Sequence, residues 1–220
     1  MIAHPIQLFA LPLGTPLTSA EWETLFRALP SDIQQKIMHY RLWQDRQRAL
    51  LGHTLIKWAL QPFIDESAFH IVQNTYGRPY IIDKLWQGDF NLSHSGDWIV
   101  LALAMEGRVG IDVEEIKPIS QDVMQYALTE EEWQLIHHKP PHVFYELWTL
   151  KEALFKTGLF PVQSPHLLRT IDIQKTRKDL STYLSYLDPQ HPVTICWNNK
   201  AMTVNTTILH KYQLLQRAAP

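Results

Sequence analysis

The sequence predicts an α+β protein, because patterns typical of helices and of strands both occur along its 220 residues. Capping boxes at Thr18-Ser19-Ala20-Glu21 and at Thr129-Glu130-Glu131-Glu132 each predict the start of a short helix. A continuous apolar run from Ile99 to Ala104 is typical of a strand buried on both faces. Glu106-Gly107 predicts a turn after this run, and it is the natural midpoint between two halves.

The first half is predicted to begin with helices and to end with strands. Helical spacing, capping residues and prolines place three helices at residues 19–29, 31–40 and 45–61, the second capped by Ser31 or Asp32. Strands are predicted at residues 69–73, 80–82 and 89–93, with a turn at Tyr76-Gly77-Arg78-Pro79 before the second. The last strand runs into His94-Ser95-Gly96-Asp97, a turn of small hydrogen-bonding residues.

The second half is predicted to hold a short helix from Thr129 to Pro140 and then a longer helix that ends near Gly158. The remaining segments have strand-like composition, at residues 168–173, 183–187, 193–197 and 202–209. Asn198-Asn199 predicts a hairpin turn between the last two strands. Residues 217–220 are expected to fray.

Composition and charge exclude several classes of protein. A formal net charge of −2 argues against a general nucleic-acid-binding protein. Cys196 is the only cysteine, so neither an intrachain disulfide nor an all-cysteine metal site can form. The longest apolar run, residues 98–105, is too short to span a bilayer, and the N-terminus lacks a signal-peptide pattern. We therefore expect a reduced cytoplasmic protein that binds neither nucleic acid nor membrane.

Apolar and acidic residues alternate in Val109-Gly110-Ile111-Asp112-Val113-Glu114. In a strand, Ile111 and Val113 would face the core, and Asp112 and Glu114 would share the other face about 7 Å apart. Two carboxylates this close raise each other's pKa unless a cation lies between them. Their hard oxygens suit Mg²⁺. The alternative is a solvated strand face, which often produces the same pattern.

A second stretch, Trp148 to Lys156, predicts a helix that carries a third carboxylate, Glu152, between Lys151 and Lys156. Glu152 and Lys156 could simply form a surface ion pair worth about 0.3 kcal/mol. The apolar residues around them favour a buried functional role. Three acids and two lysines together indicate a metal–phosphate site.

Other cationic and polar residues could contribute donors to a phosphate. Ser93, His94 and Ser95 crowd one predicted turn, while Lys36 and Arg48 lie on the predicted helices. The alternatives are a structural histidine and solvated faces of amphipathic helices. The sequence contains no GxxxxGK[ST] loop, no GxGxxG after a strand and no GxSxG elbow.

The three stretches Phe90 to Gly96, Val109 to Glu114 and Trp148 to Lys156 occur in an order and at a spacing found in one known family. The sequence resembles the 4′-phosphopantetheinyl transferases of the surfactin-synthetase-activating type. Tyr76-Gly77-Arg78-Pro79 and Lys117-Pro118-Ile119 are further matches, so that the resemblance covers roughly residues 30–160.

The resemblance implies an α+β protein of two similar α/β halves, residues 1–106 and 107–220, related by a pseudo-twofold axis with the active site in the cleft between them. The first half would contact the 3′-phosphate and adenine of coenzyme A, and the second would carry the Mg²⁺ site and the catalytic helix. The implied reaction moves 4′-phosphopantetheine from coenzyme A to a serine of an acyl or peptidyl carrier protein and releases adenosine 3′,5′-bisphosphate. A monomer is expected, and the pathway is left open between fatty-acid synthesis and secondary metabolism.

The resemblance also assigns roles to residues. Metal ligands would be Asp112, Glu114 and Glu152. Coenzyme A would be bound by Ser93, His94, Lys156, Lys36, Arg48 and Arg78: the first three at the pyrophosphate, Lys36 and Arg48 at the 3′-phosphate, and Arg78 at the adenine nucleotide. Asp112, Glu152 and Lys151 would be catalytic, with Glu152 or a metal-bound water as the general base and Lys151 tuning Glu152.

Some residues depart from the family pattern. Ile33 stands where relatives often carry a second lysine, and the turn Thr157 to Pro161 differs from the usual glycine-rich turn. The segment from Asp122 to His142 aligns with the region that contacts the carrier protein, where apolar Val123, Met124 and Leu128 could provide the contact or belong to the core. Two other functions remain open: a coenzyme-A-binding protein without transferase activity and a metal-dependent nucleotide pyrophosphatase.

Overall fold

The structure is a computed structural model that describes residues 4–65, 70–74, 77–82, 86–199 and 203–218. Helices and strands are mixed, so the α+β prediction is confirmed. The described strands are β1 Ile6–Pro12, β2 Ile71–Gln73, β3 Pro79–Ile81, β4 Asp89–Ser95, β5 Trp98–Ala104, β6 Val109–Val113, β7 Ser181–Tyr186, β8 Pro192–Trp197 and β9 Val204–Ile208. The described helices are α1 Ser19–Arg27, α2 Ser31–Met38, α3 Trp43–Leu60, α4 Gln121–Ala127, α5 Glu130–Ile136, α6 Pro141–Lys156, α7 Thr170–Thr176 and α8 Lys211–Ala218.

The two halves repeat one arrangement of strands around a long helix. In the first half, β1 pairs with β5 and β5 pairs with β4, all antiparallel. In the second half, β6 pairs with β8 and β8 pairs with β7 in the same way. A long helix, α3 or α6, lies between the first strand and the later hairpin in each half. The prediction of two similar halves is confirmed.

One hydrophobic core lies between the first sheet and the helices that cover its outer face, and another lies between the two sheets. Along β5, Ile99, Leu101 and Leu103 pack into the core beneath α3. The alternate residues Val100 and Ala102 join a second core with β6 and β8. Because successive side chains of a strand point to opposite faces, β5 is buried on both sides, as its unbroken apolar run predicts.

The end of the chain differs from the prediction. β9 pairs in parallel with β1, and α8 lies against α1 and α3, so these last elements pack on the first half. Asn198-Asn199 is therefore not a hairpin turn, because β8 and β9 belong to different sheets. Residues 170–176 form α7 instead of a strand, and Arg217 lies within α8 instead of a frayed tail. The predicted tail residues 219 and 220 lie outside the described ranges.

Local signals located most helix ends. The capping boxes at Thr18 and Thr129 are both present, and Thr129 caps α5 as predicted. The predicted caps of α2 are wrong, because Pro30 precedes the helix and Ser31 is its first residue. β4 extends to Ser95 because Ser95 pairs with Trp98 of β5, so His94 and Ser95 are strand residues. No described helix is both long enough and apolar enough to cross a membrane. The predicted residues 69, 76 and 202 lie outside the described ranges.

Candidate active site

A close contact between β6 and α6 organises the site. A Cβ on Gly110 would lie 2.1 Å from the carbonyl oxygen of Ala153, so only glycine allows the helix to approach this closely. Val109, Ile111 and Val113 point the other way, into the core between the sheets. Asp112 and Glu114 thus face α6, and the predicted alternation is confirmed, although α6 covers the acidic face.

Asp112 is the central acid and is only 2% exposed. Its Oδ1 accepts hydrogen bonds from Ser93 Oγ at 2.8 Å and from Lys156 Nζ at 2.6 Å. Its Oδ2 is buried and has no hydrogen-bond partner among the described residues. Burial raises the pKa of Asp112, and the nearby charge of Lys156 opposes that rise.

Two further carboxylates come close enough to Asp112 to repel it. Burial, followed by repulsion from Asp112, raises the pKa of Glu114, whose Oε2 accepts a hydrogen bond from Ser95 Oγ at 2.8 Å. Burial raises the pKa of Glu152 to about 7, with Lys156 opposing and both other acids adding to the rise. Lys156 Nζ lies 4.0 Å from Glu152 Oε2. The charge of one lysine, Lys156, therefore offsets the repulsion among three carboxylates.

Side chains of β4 hold β6 in register beside it. Asp89 Oδ2 accepts the backbone N–H of Val109 at 2.8 Å, and Asn91 Oδ1 accepts that of Ile111 at 3.0 Å. Ser95 Oγ accepts the backbone N–H of Glu115 at 3.1 Å. We call this row of side-chain contacts the β4–β6 seam. Asp89 and Asn91 were not predicted as site residues, although polar residues alternate along this strand, and the hydroxyl of Ser95, offered as a phosphate donor, donates to Glu114.

Arg78 lies in the cleft, where its guanidinium is engaged by protein atoms, and its contact with the adenine nucleotide stays a prediction. Its guanidinium forms a bidentate pair with Asp89, at 2.9 and 2.6 Å. It also donates to the carbonyl oxygens of Lys156 and Val109, at 2.8 and 2.9 Å. With its donors directed at protein atoms and only 8% exposure, Arg78 ties β4, β6 and the end of α6 together.

The prediction that Lys151 is catalytic and tunes Glu152 is wrong. Lys151 is fully buried on the opposite side of α6, and its Nζ donates to Glu132 Oε2 at 2.5 Å and to the carbonyl oxygen of Leu168 at 2.7 Å. Adjacent helical residues point in different directions, so Glu152 and Lys151 cannot face the same site. A buried charge requires a partner, and Glu132 supplies it.

Arg48 and His94 lie at the end of the β4–β5 hairpin. Arg48 donates from Nε and Nη2 to the carbonyl oxygen of Gly96, at 3.2 and 2.8 Å, and from Nη1 to Asp45. His94 is on the exposed side of β4. Partial loss of water around its ring, followed by the charge of Arg48, lowers the pKa of His94. A neutral imidazole and a fixed cation thus lie side by side.

Two cavities adjoin these residues and share Pro79 and Leu92. One, of about 550 Å³, is lined by Arg78, Lys156 and the altered turn from Gly158 to Pro161. The other, of about 530 Å³, is lined by Lys36. Cavities of this size fit small ligands. Lys36 is exposed at the second cavity, away from Lys156, while Ile33 is 4% exposed and packs in the core beneath α3.

The segment expected to meet a partner protein is helical. Met124 and Leu128 are buried in a core with Phe144, so for these two residues the core alternative is correct. Val123 is 54% exposed on the same helix. Tyr126 and Leu135 are further exposed apolar residues of this segment, which the sequence analysis did not single out.

The acidic residues supply oxygen donors that suit a divalent hard cation. The partnerless Oδ2 of Asp112 is the atom that most clearly fits such an ion, since a buried carboxylate oxygen ordinarily has a partner. As the side chains stand, no three or more described His, Cys, Asp or Glu residues converge closely enough to bind a metal ion. The donor chemistry therefore fits Mg²⁺, while Lys156 provides the positive charge within this arrangement.

Comparison with known proteins connects this geometry to a family. Residues 108–204 match the 4′-phosphopantetheinyl transferase superfamily, and residues 15–106 match the N-terminal domain of a 4′-phosphopantetheinyl transferase. The chain is 31% identical over 196 residues to the 4′-phosphopantetheinyl transferase psf-1 of Bacillus pumilus, covering 81% of this chain and 82% of the relative. It is 29% identical over 157 residues to the 4′-phosphopantetheinyl transferase Sfp of Bacillus subtilis, covering 69% of each. The resemblance is confirmed, and the chain belongs to the 4′-phosphopantetheinyl transferase superfamily, with Sfp-type relatives.

Proposed function

We propose that this protein transfers 4′-phosphopantetheine from coenzyme A to a serine of an acyl or peptidyl carrier protein and releases adenosine 3′,5′-bisphosphate. The observation that carries the proposal is the Asp112 carboxylate, which is buried with one partnerless oxygen beside Lys156 and Glu152. Simple binding of coenzyme A would not require three repelling acids in one place. The family and its transferase relatives support the same conclusion.

The residues divide between binding and proton transfer. Lys156, Ser93 and His94 would bind the pyrophosphate: Lys156 Nζ pairs with Asp112 and donates to Ser93 Oγ, and its charge also reaches the ring of His94. Arg48 and Lys36 would attract the nucleotide end of the substrate. Asp112, Glu114 and Glu152 would hold Mg²⁺, which when bound would offset the negative charge that develops on the pyrophosphate oxygens.

Glu152 is our proposed general base. In the metal-free protein its pKa of about 7 is that of a carboxylate that accepts a proton readily, and a bound Mg²⁺ would favour the ionised form that a base requires. It would take the proton from the carrier serine hydroxyl as the serine oxygen bonds to the phosphorus that bears pantetheine. The bond from that phosphorus to the bridging oxygen then breaks, and the oxygen leaves with adenosine 3′,5′-bisphosphate.

The carrier protein would dock near α4 and α5. Val123, Tyr126 and Leu135 are exposed apolar residues on these helices, and α5 packs onto α6 through Glu132 and Lys151. A helical partner bound there would lie against the outside of the segment that precedes the catalytic helix. Few cations accompany this surface, so apolar contact would dominate the recognition.

Intact-mass spectrometry of an apo carrier protein tests the proposal directly. Incubation with this protein, coenzyme A and Mg²⁺ should add one phosphopantetheine arm of about 340 Da, and EDTA should abolish the gain. Asp112→Ala should lose the reaction, whereas Asp179→Ala, which removes an exposed carboxylate near β7, should retain it.

The same assay separates the other candidate functions. No mass gain with several unrelated carriers, despite binding of coenzyme A, would make this a binding protein. Cleavage of coenzyme A in the absence of any carrier would indicate a pyrophosphatase that uses water. Full activity of Asp112→Ala would remove the metal assignment.

A further inference from the structure

His53 has no assigned role, yet it lines the cavity that contains Lys36. It lies on α3, and the same imidazole also borders a smaller adjoining cavity with Asp32 and His70. Its Nδ1 is buried and has no hydrogen-bond partner among the described residues. A buried ring nitrogen without a partner costs free energy, so an unpaired histidine at a cavity wall requires an explanation.

The buried nitrogen determines which part of the ring can act. A proton on Nδ1 would be a buried donor without an acceptor, which is the more costly arrangement. The favoured neutral tautomer therefore carries its proton on Nε2, the other ring nitrogen of this cavity-lining histidine. His53 thus presents a single N–H donor beside the ammonium group of Lys36.

The cavity offers positive charge to one end of an elongated ligand. Lys36 and His53 are its basic residues, and no carboxylate is among the described residues that line it. Leu92 lines this cavity and also the one that contains Lys156, and it immediately precedes Ser93. A ligand with its pyrophosphate at Lys156 and Ser93 can therefore extend past Leu92 and place a further anionic group between Lys36 and His53.

We propose that His53 is a further binding residue for coenzyme A and that it donates a hydrogen bond from Nε2 to the 3′-phosphate beside Lys36. This inference rests on the proposed function, which makes coenzyme A the ligand. Lys36 supplies charge without strict direction, whereas the imidazole supplies a directed donor. Ile33 is buried and leaves this side of α2 without a second lysine, so His53 supplies the second polar contact.

Lys36 and His53 together should also make the affinity for coenzyme A depend on pH. Burial and then the charge of Lys36 lower the pKa of His53, while Asp32 raises it. Asp32 and Lys36 face it from α2, Tyr40 follows α2, and His70 precedes β2. In acid the second proton would have to enter at the buried Nδ1, and this cost keeps the ring neutral unless the charge of a bound 3′-phosphate compensates for it. Dephospho-coenzyme A, which lacks the 3′-phosphate, should not gain from this change.

Calorimetric dissociation constants for coenzyme A and dephospho-coenzyme A test the proposal. His53→Ala should weaken coenzyme A about tenfold, the size of one hydrogen bond to a charged group, and change dephospho-coenzyme A less than about twofold. His53→Gln retains a donor at the same reach and should recover most of the affinity. His4→Ala, at an exposed histidine before β1, is the matched control.

The ratio of the two constants at about pH 6 and about pH 8 provides a second readout. The ratio should favour coenzyme A more strongly in acid for the wild type than for His53→Gln. Titration of the phosphate itself affects the two proteins equally, so the difference between them reports the imidazole of His53. The ratio of the two constants also cancels any titration of His94, because both ligands would contact His94 through the same pyrophosphate.

The outcomes separate this inference from the function beneath it. Equal weakening of both ligands by His53→Ala, or no weakening of either, overturns the role of His53 while the transferase assay stays positive. A wild type that binds neither ligand overturns the proposed function together with the inference. If His53→Ala fails to fold, His53→Gln and its pH-dependent ratio decide the question alone.

Discussion

Two lysines on α6 each form an ion pair with a buried carboxylate, but one pair is structural and the other belongs to the candidate active site. Lys151 and Lys156 are five residues apart and so lie roughly 140° from each other around the helix. Lys151 has no exposed side-chain surface and pairs with Glu132, whereas the side chain of Lys156 is 26% exposed and pairs with Asp112. Each pair joins a lysine of the same helix to a nearly buried acid.

The acids differ in how completely they are satisfied. Glu132 accepts hydrogen bonds from Lys151, from the backbone of Thr129, and from both the backbone and the hydroxyl of Thr170. Burial opposes ionisation of Glu132, but hydrogen bonds from Lys151 and then Thr170 outweigh it and lower the pKa. Asp112 retains a partnerless oxygen, and burial raises its pKa. A complete network indicates a structural role, and an incomplete one indicates a place for a ligand.

Breaking the Glu132 pair should have the largest effect. Lys151→Met leaves the Glu132 charge buried without its cation, so we expect a loss of about 4 kcal/mol in the free energy of unfolding. Urea unfolding measures it. Lys156→Met is the matched variant and should cost less stability, because burial already raises the pKa of Asp112 and its carboxyl can take up a proton instead of remaining a buried unpaired charge. Equal losses would show that the two pairs do not differ in kind.

The same two substitutions should act in the reverse order on catalysis. Lys156→Met removes the cation at the proposed pyrophosphate site, and we expect the rate of holo-carrier formation to fall about hundredfold. The mass assay follows the rate under conditions in which both variants remain folded. Folded Lys151→Met should keep most of its turnover per molecule. A retained rate in Lys156→Met would remove its assignment to the pyrophosphate.

The stability of the metal-free protein should report the raised pKa of Glu152. A carboxyl with a pKa of about 7 in the folded state and 4.5 in the unfolded state binds more protons when folded. The protonated carboxyl therefore stabilises the folded state fully below about pH 4.5, the unfolded pKa, and this stabilisation is lost as the pH rises through about 7. Glu152→Gln should therefore gain stability relative to the wild type, by about 3 kcal/mol between about pH 4.5 and 7.5.

Urea unfolding in EDTA across this range measures the difference. Glu131→Gln, at an exposed glutamate of α5, is the control and should run parallel to the wild type. A Glu152→Gln curve that also runs parallel would mean that the carboxyl is not destabilised by its neighbours. EDTA is needed because a bound cation would favour the ionised form.

The smallest comparison uses the hydroxyls that assist the two acids. Thr170 Oγ1 donates to Glu132 at 2.5 Å, and Ser93 Oγ donates to Asp112 at 2.8 Å. Thr170→Val should cost about 1 kcal/mol of stability and leave kcat unchanged. Ser93→Ala should cost less stability but raise the KM for coenzyme A. A rise in KM with Thr170→Val would contradict the division of roles.

The predictions from sequence succeeded where the signal is local. The capping boxes at Thr18 and Thr129 and the buried run of β5 depend on residues within one turn or one strand. The alternation from Val109 to Glu114 also located the acids correctly, because strand periodicity alone determines which residues share a face.

The errors arose where a distant partner decides the outcome. Lys151 appeared to accompany Glu152 because they are adjacent, but Glu132 and the carbonyl of Leu168 draw it to the other side of α6. β9 leaves its neighbour in sequence because β1 offers a free edge. The ion pair between Arg78 and Asp89 was likewise not predicted, because eleven positions separate the two residues. No local pattern contains these partners.

The β4–β6 seam has a consequence for how the two halves are aligned. Asp89 with Val109, Asn91 with Ile111 and Ser95 with Glu115 each join residues separated by twenty positions. The seam contacts thus come from alternate residues of β4, whose side chains all point to the same face of the strand. A shift of one position would bring Phe90 and Leu92 against β6, so only even displacements preserve polar contact. The seam therefore fixes the position of β6 along β4 through side chains, and in that position the Ser93 hydroxyl reaches the carboxylate of Asp112, the neighbour of the residue twenty positions on.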